Sequence, residues 1–249
     1  MNLLEEYRDA LVAAELGRRV GWVRHLRGFA VQAEGPRAEV GEMCRIVPGT
    51  DRPGVLAEVV GLAPDHVVLM PYGSLRGVAS GSGVVALGRV ADVPAGEGLL
   101  GRVIDGLGQA LDGRGPVDVA DRAALEVPAP APMARPRIGK VLETGVRAID
   151  ALLTIGAGQR VGIFAGSGVG KSTLLGMITR HAEADVNVIA LIGERGREVR
   201  EFIEEQLGGE GLARSVVVVA TSEQPALGRI RAGPAALAIY TVGVQVGQI

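Results

Sequence analysis

Aromatic residues are scarce in this chain of 249 residues, at 3% of the sequence, whereas hydrophobic residues make up 47%. The core must therefore be aliphatic, and the chain offers few rings on which the bases of a single strand could stack. The formal net charge is −2 at pH 7, so there is no general basic surface either. Both shortages argue against a nucleic-acid partner.

Cysteine and long apolar runs are also lacking. The single cysteine, Cys44, cannot form an internal disulfide, which is typical of a reducing compartment, and we expect a small buried residue rather than a reactive thiol. No apolar run reaches the roughly 18 residues that span a membrane. The first residues include Glu5 and Glu6 and show no signal-peptide pattern. We therefore expect a cytoplasmic protein.

Lysine is rare as well: of 26 basic residues only Lys140 and Lys171 are lysines. Lys171 belongs to a glycine-rich run that follows an apolar segment at 161–165, predicted to be a strand, and leads into a helical pattern at 170–182. The nine residues of that run are Ala165, Gly166, Ser167, Gly168, Val169, Gly170, Lys171, Ser172 and Thr173. Between a strand and a helix, this run predicts a P-loop, with alanine in place of the first glycine of the strict motif.

The P-loop predicts nucleotide binding for a physical reason. Its glycines let backbone N–H groups turn toward phosphate oxygens, and the helix that follows adds the positive end of its dipole. We expect Lys171 to reach the β- and γ-phosphates of ATP, and the Ser172 hydroxyl to complete the shell of a Mg²⁺ ion.

The patterns along the chain predict an α/β domain built on a parallel sheet, preceded by a small all-β barrel. Residues 1–19 read as an amphipathic helix, which either packs on its own domain or docks a partner. Short β-rich runs between turn residues predict a closed barrel over 20–91. Residues 92–138 are rich in proline and glycine and are expected to be a surface connector. Strands and helices alternate over 139–232, which indicates a parallel ATP-binding sheet covered by helices, and 233–249 form a divergent tail.

Acidic residues follow the strand predicted at 186–192. Because the carboxyl ends of parallel strands share one edge, Glu194 is expected beside the P-loop. A carboxylate there can orient and polarise a water for attack on the γ-phosphate, but an acid at a helix N-terminus is also favoured by the helix dipole. Glu198 lies four residues on and could face the same way, so the spacing leaves open which acid acts. Arg195 could pair with these acids and is a further catalytic candidate.

Several segments together carry a family resemblance. Residues 139–178, 192–199, 220–227 and 99–108 resemble the flagellar and type III secretion export ATPases, which are relatives of the catalytic subunit of rotary ATP synthases. The resemblance covers residues 20–232. It implies a β-barrel, a RecA-like nucleotide domain and a C-terminal helical domain, with Glu194 as the catalytic glutamate and Lys171 as the phosphate-binding lysine.

The resemblance also implies a biological role. Members form cytosolic homohexamers at the export gate, peripheral to the inner face of the cytoplasmic membrane, and use ATP and Mg²⁺ to release chaperones from secretion substrates and unfold them. In this interpretation the N-terminal helix contacts the regulatory stator protein. The motifs do not distinguish flagellar from virulence-type secretion.

The end of the sequence departs from the family. No Asp or Glu occurs in 224–249, so the Walker B acid is missing. Gly233-Pro234 is predicted to interrupt a helix, and 242–249 alternate like an exposed strand. We therefore expect an ATP-binding and hydrolysing subunit of a flagellar or type III export apparatus, C-terminally truncated and with an incomplete RecA-like core, so that the 249-residue chain by itself does not hydrolyse ATP. Two alternatives remain: a nucleotide-binding fragment without turnover, and a RecA-type hexameric nucleic-acid motor.

Overall fold

The computed structural model describes residues 19–49, 53–126, 131–166 and 168–245. The chain divides into two compact units, Met1–Ala91 and Asp92–Ile249. The helix predicted over 1–19 lies outside the described residues except for Arg19.

The first unit is a barrel of six antiparallel strands that closes in the order β1-β2-β5-β4-β3-β6. The strands are β1 (Val20–Arg27), β2 (Ala30–Glu34), β3 (Glu42–Val47), β4 (Val55–Leu62), β5 (Val67–Pro71) and β6 (Gly83–Val90). Aliphatic side chains such as Val23, Val31 and Leu69 are fully buried inside it. The closed barrel predicted from the short β-rich runs is confirmed.

Cys44 lies in the barrel core and is fully buried. Burial, together with the negative charge of Glu42, raises the pKa of its thiol to about 12. The thiol is therefore neutral at physiological pH, and Cys44 packs as a small apolar residue, as its isolation in the sequence predicts.

The second unit is built on a parallel sheet with the strand order β12-β13-β8. Its strands are β7 (Asp92–Ala95), β8 (Val103–Ile104), β9 (Asp121–Ala124), β10 (Val141–Leu142), β11 (Ile155–Gly156), β12 (Asn187–Ile192) and β13 (Ser215–Ala220). Its helices are α1 (Arg147–Leu152), α2 (Lys171–His181), α3 (Gly196–Glu201), α4 (Gly208–Ala213) and α5 (Ala226–Gln245), with a π-helical turn at Phe202–Leu207 and 3-10 turns at Glu97–Leu99 and Pro132–Ala134. Within the described part of the chain, no helix combines the length and the apolar character that a membrane span requires.

Strand β13 lies at the centre of the parallel sheet, and all six of its residues are buried. It pairs with β12 along its whole length, from Asn187↔Ser215 to Ile192↔Ala220. Burial on both faces explains its continuous aliphatic sequence. Val217 and Val219 pack with Phe202 and Leu207 in one hydrophobic cluster. This cluster holds the π-helical turn that follows α3 against the sheet.

The connector predicted over 92–138 is wrong for its first part. Val93, Leu99 and Ile104 in this segment are fully buried, and β8 joins the parallel sheet beside β13. The many glycines and prolines allow tight turns between these short elements rather than a loose linker. At Gly108, for example, φ is +80°, which glycine adopts without strain.

The strand predicted at 161–165 does not form. Residues 161–166 have no regular secondary structure, and Phe164 is 97% exposed. A strand exists only where a neighbour completes its hydrogen-bond ladder. Among the described strands, β12 pairs with β13 alone, and none pairs with 161–166.

The interruption predicted at Gly233-Pro234 is also wrong, because α5 continues through Pro234. Ala232, Ala235 and Ala238 are fully buried along this helix, which packs on β12, β13 and β7. Such burial can offset the one lost backbone hydrogen bond at proline. The helix also includes 242–245, where an exposed strand was predicted, while 246–249 lie outside the described residues.

A buried ion pair fixes the segment that carries β8. Asp112 accepts hydrogen bonds from Arg102 Nε at 2.6 Å and Nη2 at 3.0 Å, and from the backbone N–H groups of Val103 and Arg114. Arg102 is only 7% exposed. The Arg102 guanidinium therefore holds the pKa of the Asp112 carboxyl well below its usual range.

We expect Asp112→Asn to lower the midpoint of thermal unfolding by roughly 5 °C at neutral pH, because the buried guanidinium loses its charge partner. Since folding depresses the pKa of Asp112, its stabilisation is complete above the unfolded pKa of about 4 and is lost as the pH falls below it. The difference in unfolding midpoint between Asp112→Asn and wild type should therefore become smaller as the pH falls below about 4. Calorimetric melting across this pH range measures it, and Asp118→Asn, at an exposed carboxyl, is the control. A difference that stays constant with pH would contradict this role of the pair.

Candidate functional site

The P-loop ends in a turn that only glycine adopts easily. Gly168 and Gly170 have φ angles of +75° and +92°, in the left-handed region. Gly170 caps α2, and its carbonyl accepts a hydrogen bond from Leu174 N–H at 2.9 Å, so the helix begins at Lys171. Apart from each glycine itself and its chain neighbours, no atom of the described residues lies within 4 Å of the position that a Cβ would take on Gly166, Gly168 or Gly170. The loop therefore leaves open space where an anion can approach its backbone.

A cavity of about 240 Å³ opens beside the start of α2. Its lining residues are Val161, Ile163, Lys171, Ser172, Leu175, Leu191, Glu194, Glu198, Val199 and Phe202. The cavity thus brings the lysine and serine of the P-loop together with both candidate acids. Ser167 lies outside the described residues, and Ala165, Gly166, Val169 and Thr173 are exposed around the loop.

Backbone contacts between two strand ends hold Glu194 in place. At the carboxyl end of β12, Gly193 N–H donates to the carbonyl of Ala220 at 2.7 Å. Ser222 N–H then donates to the carbonyl of Glu194 at 3.0 Å. Glu194 therefore leaves the sheet at the edge to which β12 and β13 both point, and its side chain is partly buried.

Glu198 reaches the same cavity from the first turn of α3. Its carboxylate lies 3.6 Å from Arg195 Nη1, and the two side chains are 43% and 68% exposed. An exposed pair of this kind contributes little stability. Arg195 itself caps α3 and is absent from the lining of the cavity as far as the described residues show. Of the three candidate catalytic residues, the structure thus places Lys171 and Glu194 in the lining of the cavity and Arg195 outside it.

The apolar wall of the cavity was not predicted from the sequence. Phe202 is 4% exposed and stands one helical turn after Glu198. Its spacing of four residues from a lining acid is the one sequence signal that could have pointed to it. An apolar wall next to the acids lowers the local dielectric and strengthens electrostatic interactions with a bound anion.

The residues present fit a magnesium ion that accompanies a nucleotide. Ser172 and the two acids offer hard oxygen atoms to the cavity, which are the ligands that Mg²⁺ prefers. Within the described residues no group of three or more His, Cys, Asp or Glu side chains could hold a metal by itself. Such a site suits Mg²⁺, which keeps several waters and binds through phosphates and few protein groups.

Taken with the glycine turn and the cap of α2, this geometry defines a P-loop nucleotide-binding protein. The chain belongs to the ATP synthase alpha/beta family: the family's nucleotide-binding domain matches residues 145–241, and its beta-barrel domain matches residues 27–88. The predicted fold class, a partial P-loop α/β core preceded by an all-β barrel, is confirmed by these matches and by solved structures.

Individual relatives come from two export systems. The flagellum-specific ATP synthase of Bacillus subtilis is 50% identical over 232 residues, which are 93% of this chain and 53% of that protein. The type 3 secretion system ATPase of Xanthomonas euvesicatoria is 48% identical, over 92% of this chain and 52% of that protein. The chain therefore spans about half the length of the curated relatives that it matches.

Solved structures give the same result. The assembled ATPase EscN from the type III secretion system of enteropathogenic E. coli superposes with a TM-score of 0.80 at 41% identity, covering 89% of this chain and 53% of EscN. EscN in complex with its central stalk EscO gives a TM-score of 0.82 at 41% identity, covering 89% of this chain and 54% of EscN. The predicted resemblance to the flagellar and type III export ATPases is confirmed.

Proposed function

We propose that this chain is the ATP-binding part of a flagellar or type III export ATPase. The observation that carries the proposal is the cavity in which Lys171 and Ser172 of the P-loop meet Glu194 and Glu198. The names of the relatives, a flagellum-specific ATP synthase and a type 3 secretion system ATPase, support the same class of reaction.

In this proposal each lining group has a separate task. Backbone N–H groups of the glycine turn and the Lys171 ammonium bind the β- and γ-phosphates, which they can approach through the open space above the loop. The Ser172 hydroxyl would hold Mg²⁺, which when bound neutralises charge on the phosphate oxygens. Glu194 orients a water toward the γ-phosphate and accepts its proton. Glu198 is the less suitable acid for this role, because its carboxylate lies 3.6 Å from Arg195 Nη1.

The partners follow from the same relatives. EscN is described as assembled and as complexed with a central stalk, which supports an oligomer with a partner for this chain. We propose that the protein forms a homo-oligomer, which releases chaperones from secretion substrates and unfolds the substrates. It would work in the cytoplasm at the inner face of the membrane, with the segment at 1–19 contacting a regulatory stator protein.

A second candidate function is nucleotide binding without turnover. One sequence fact favours it: the 26 residues 224–249 contain neither Asp nor Glu. A P-loop ATPase uses a further acid to organise Mg²⁺ and the attacking water. In this candidate function the 249-residue chain binds ATP and holds it unreacted.

The decisive experiment measures binding of Mg·ATP and release of phosphate on the same 249-residue preparation. We expect saturable binding with no phosphate release, both in wild type and in Glu194→Gln. Turnover that Glu194→Gln abolishes and the control Glu205→Gln retains would overturn the second candidate and establish a complete enzyme. Failure of wild type to bind Mg·ATP would overturn both candidates.

A further inference from the structure

Two side chains at the starts of the central strands hold the C-terminal end of the P-loop helix α2: Arg214, directly before β13, and Asn187, the first residue of β12. Arg214 Nη2 donates to the carbonyls of Ala182 at 2.9 Å and Thr179 at 3.2 Å. Asn187 Nδ2 donates to the same Thr179 carbonyl at 3.0 Å. These carbonyls belong to the last turn of α2 and the residue after it.

These hydrogen bonds stabilise the C-terminus of α2 in two ways. The last four carbonyls of a helix have no partner within it, and together they form the negative end of the dipole. The Arg214 guanidinium donates to one of them, that of Thr179, and to the carbonyl of the C-cap residue Ala182, and it places its positive charge there. Arg214 is well placed for this because it stands directly before β13, and Asn187 is the first residue of β12.

The same two strands carry the catalytic edge at their other ends. Strand β12 leads to Glu194, and the residues after β13 hold Glu194 through Ser222 N–H. Helix α2 runs back along the sheet, with Lys171 and Ser172 in its first turn. Its eleven residues form a rod of roughly 16 Å, so a shift at one end is transmitted to the other.

A separate contact holds α2 sideways. A Cβ on Gly176 would lie 2.8 Å from Gln206 Cβ, so this glycine lets the helix pack closely on the π-helical turn. Arg180 Nη1 donates to the carbonyl of Gln206 in that turn. These contacts fix the lateral position of α2, whereas Arg214 and Asn187 oppose movement along its axis.

We propose that Arg214 is a positioning residue of the nucleotide site. By fixing α2 along its axis against β12 and β13, it sets how far Lys171 and Ser172 stand from Glu194. This role rests on the proposed function where the Kd for Mg·ATP is measured. It does not where hydrogen exchange in α2 is measured, because that measurement needs no nucleotide.

The test compares wild type with Arg214→Ala, Arg214→Lys, Arg214→Gln and Arg114→Ala. Arg114 Nη1 donates to one backbone carbonyl, that of Gly101 at 3.0 Å, and among the described residues it has no hydrogen bond to α2, so Arg114→Ala serves as the control. Two quantities are measured on each 249-residue protein: amide hydrogen exchange over 171–178 without nucleotide, and the Kd for Mg·ATP. The thermal unfolding midpoint of each protein without nucleotide measures its overall stability.

We expect Arg214→Ala to raise the Kd by about tenfold and to speed exchange in the first turn of α2, because the rear of the helix loses its anchor. Arg214→Lys, which keeps the charge and can donate to both carbonyls, should remain within about threefold of wild type, with Gln between the two. Arg114→Ala should lower the melting point without changing either readout.

Unchanged exchange and affinity in Arg214→Ala would overturn the positioning role. An equal effect of Arg214→Ala and Arg114→Ala would also overturn it, since general destabilisation would then suffice. If wild type binds no Mg·ATP, the proposed function fails, and the exchange data still decide the role of Arg214. If Arg214→Ala does not fold, the comparison of Arg214→Lys with Arg214→Gln decides it.

Discussion

Lys171→Ala is expected to raise the Kd for Mg·ATP by about 100-fold or more. Among the described residues that line the cavity, Lys171 is the one cation, and Glu194 and Glu198 belong to the same lining. Without it, two carboxylates would meet the phosphates, and only backbone N–H groups and the helix dipole would oppose them. The loss should therefore exceed that of an ordinary hydrogen bond, and a titration followed by calorimetry measures it.

The sequence supplies a matched control for this prediction. Lys140 is the only other lysine, is exposed, and contributes its backbone carbonyl rather than its side chain to the contact with Ala157 N–H. Lys140→Ala should therefore bind Mg·ATP as wild type does. Lys171→Arg, like Lys171→Ala, should bind Mg·ATP weakly, because a planar guanidinium replaces a compact ammonium. Near wild-type affinity in Lys171→Ala would mean that nucleotide binds elsewhere.

Gly145→Ala is expected to destabilise the protein by about 2–5 kcal/mol. Gly145 has φ of +72°, a conformation that costs alanine about 1–2 kcal/mol. A Cβ there would also overlap the Cβ of His181 and lie 2.9 Å from the His181 carbonyl, which adds an overpacking cost of about 1–3 kcal/mol. Urea unfolding at equilibrium measures the sum.

Gly158→Ala separates these two costs. Gly158 also has a positive φ, of +91°, but apart from its chain neighbours no atom of the described residues lies within 4 Å of its Cβ position. Its substitution should cost only the conformational term, about 1–2 kcal/mol. Since His181 is the last residue of α2, Gly145→Ala should also weaken nucleotide binding, and Gly158→Ala should not. Equal unfolding energies for the two variants would contradict the close contact with His181.

Local patterns predicted the elements whose structure is decided locally. The alternation of turns and β-rich runs predicted the barrel. The aliphatic runs at 186–192 and 216–220 predicted the two central strands, which the structure has at Asn187–Ile192 and Ser215–Ala220. The predicted strand at 161–165 failed because a strand depends on a neighbour that no local pattern reveals. Pro234 was predicted to break a helix, but burial of the surrounding alanines on the sheet is a tertiary effect that the local rule omits.

The residues of the candidate site also fall into those that local patterns predicted and those that they did not. The P-loop motif located the glycine turn, and the rule for parallel strands located Glu194 beside it. Arg195 was selected by adjacency, yet it faces solvent because the chain turns into α3 at that residue. Phe202 and Arg214 act from later segments that reach α2 only in three dimensions, and the sequence carried no comparable signal for them. The roles proposed for Lys171, Ser172 and Glu194 stay predictions.

The central claim is that ATP binds in the cavity between the P-loop and the two acids. The most direct measurement is amide hydrogen exchange of the 249-residue chain with and without Mg·ATP. We expect protection at 166–174 and at 194–198, and no comparable change in the barrel at 20–91. Protection confined to other segments, or no protection at saturating Mg·ATP, would contradict the claim.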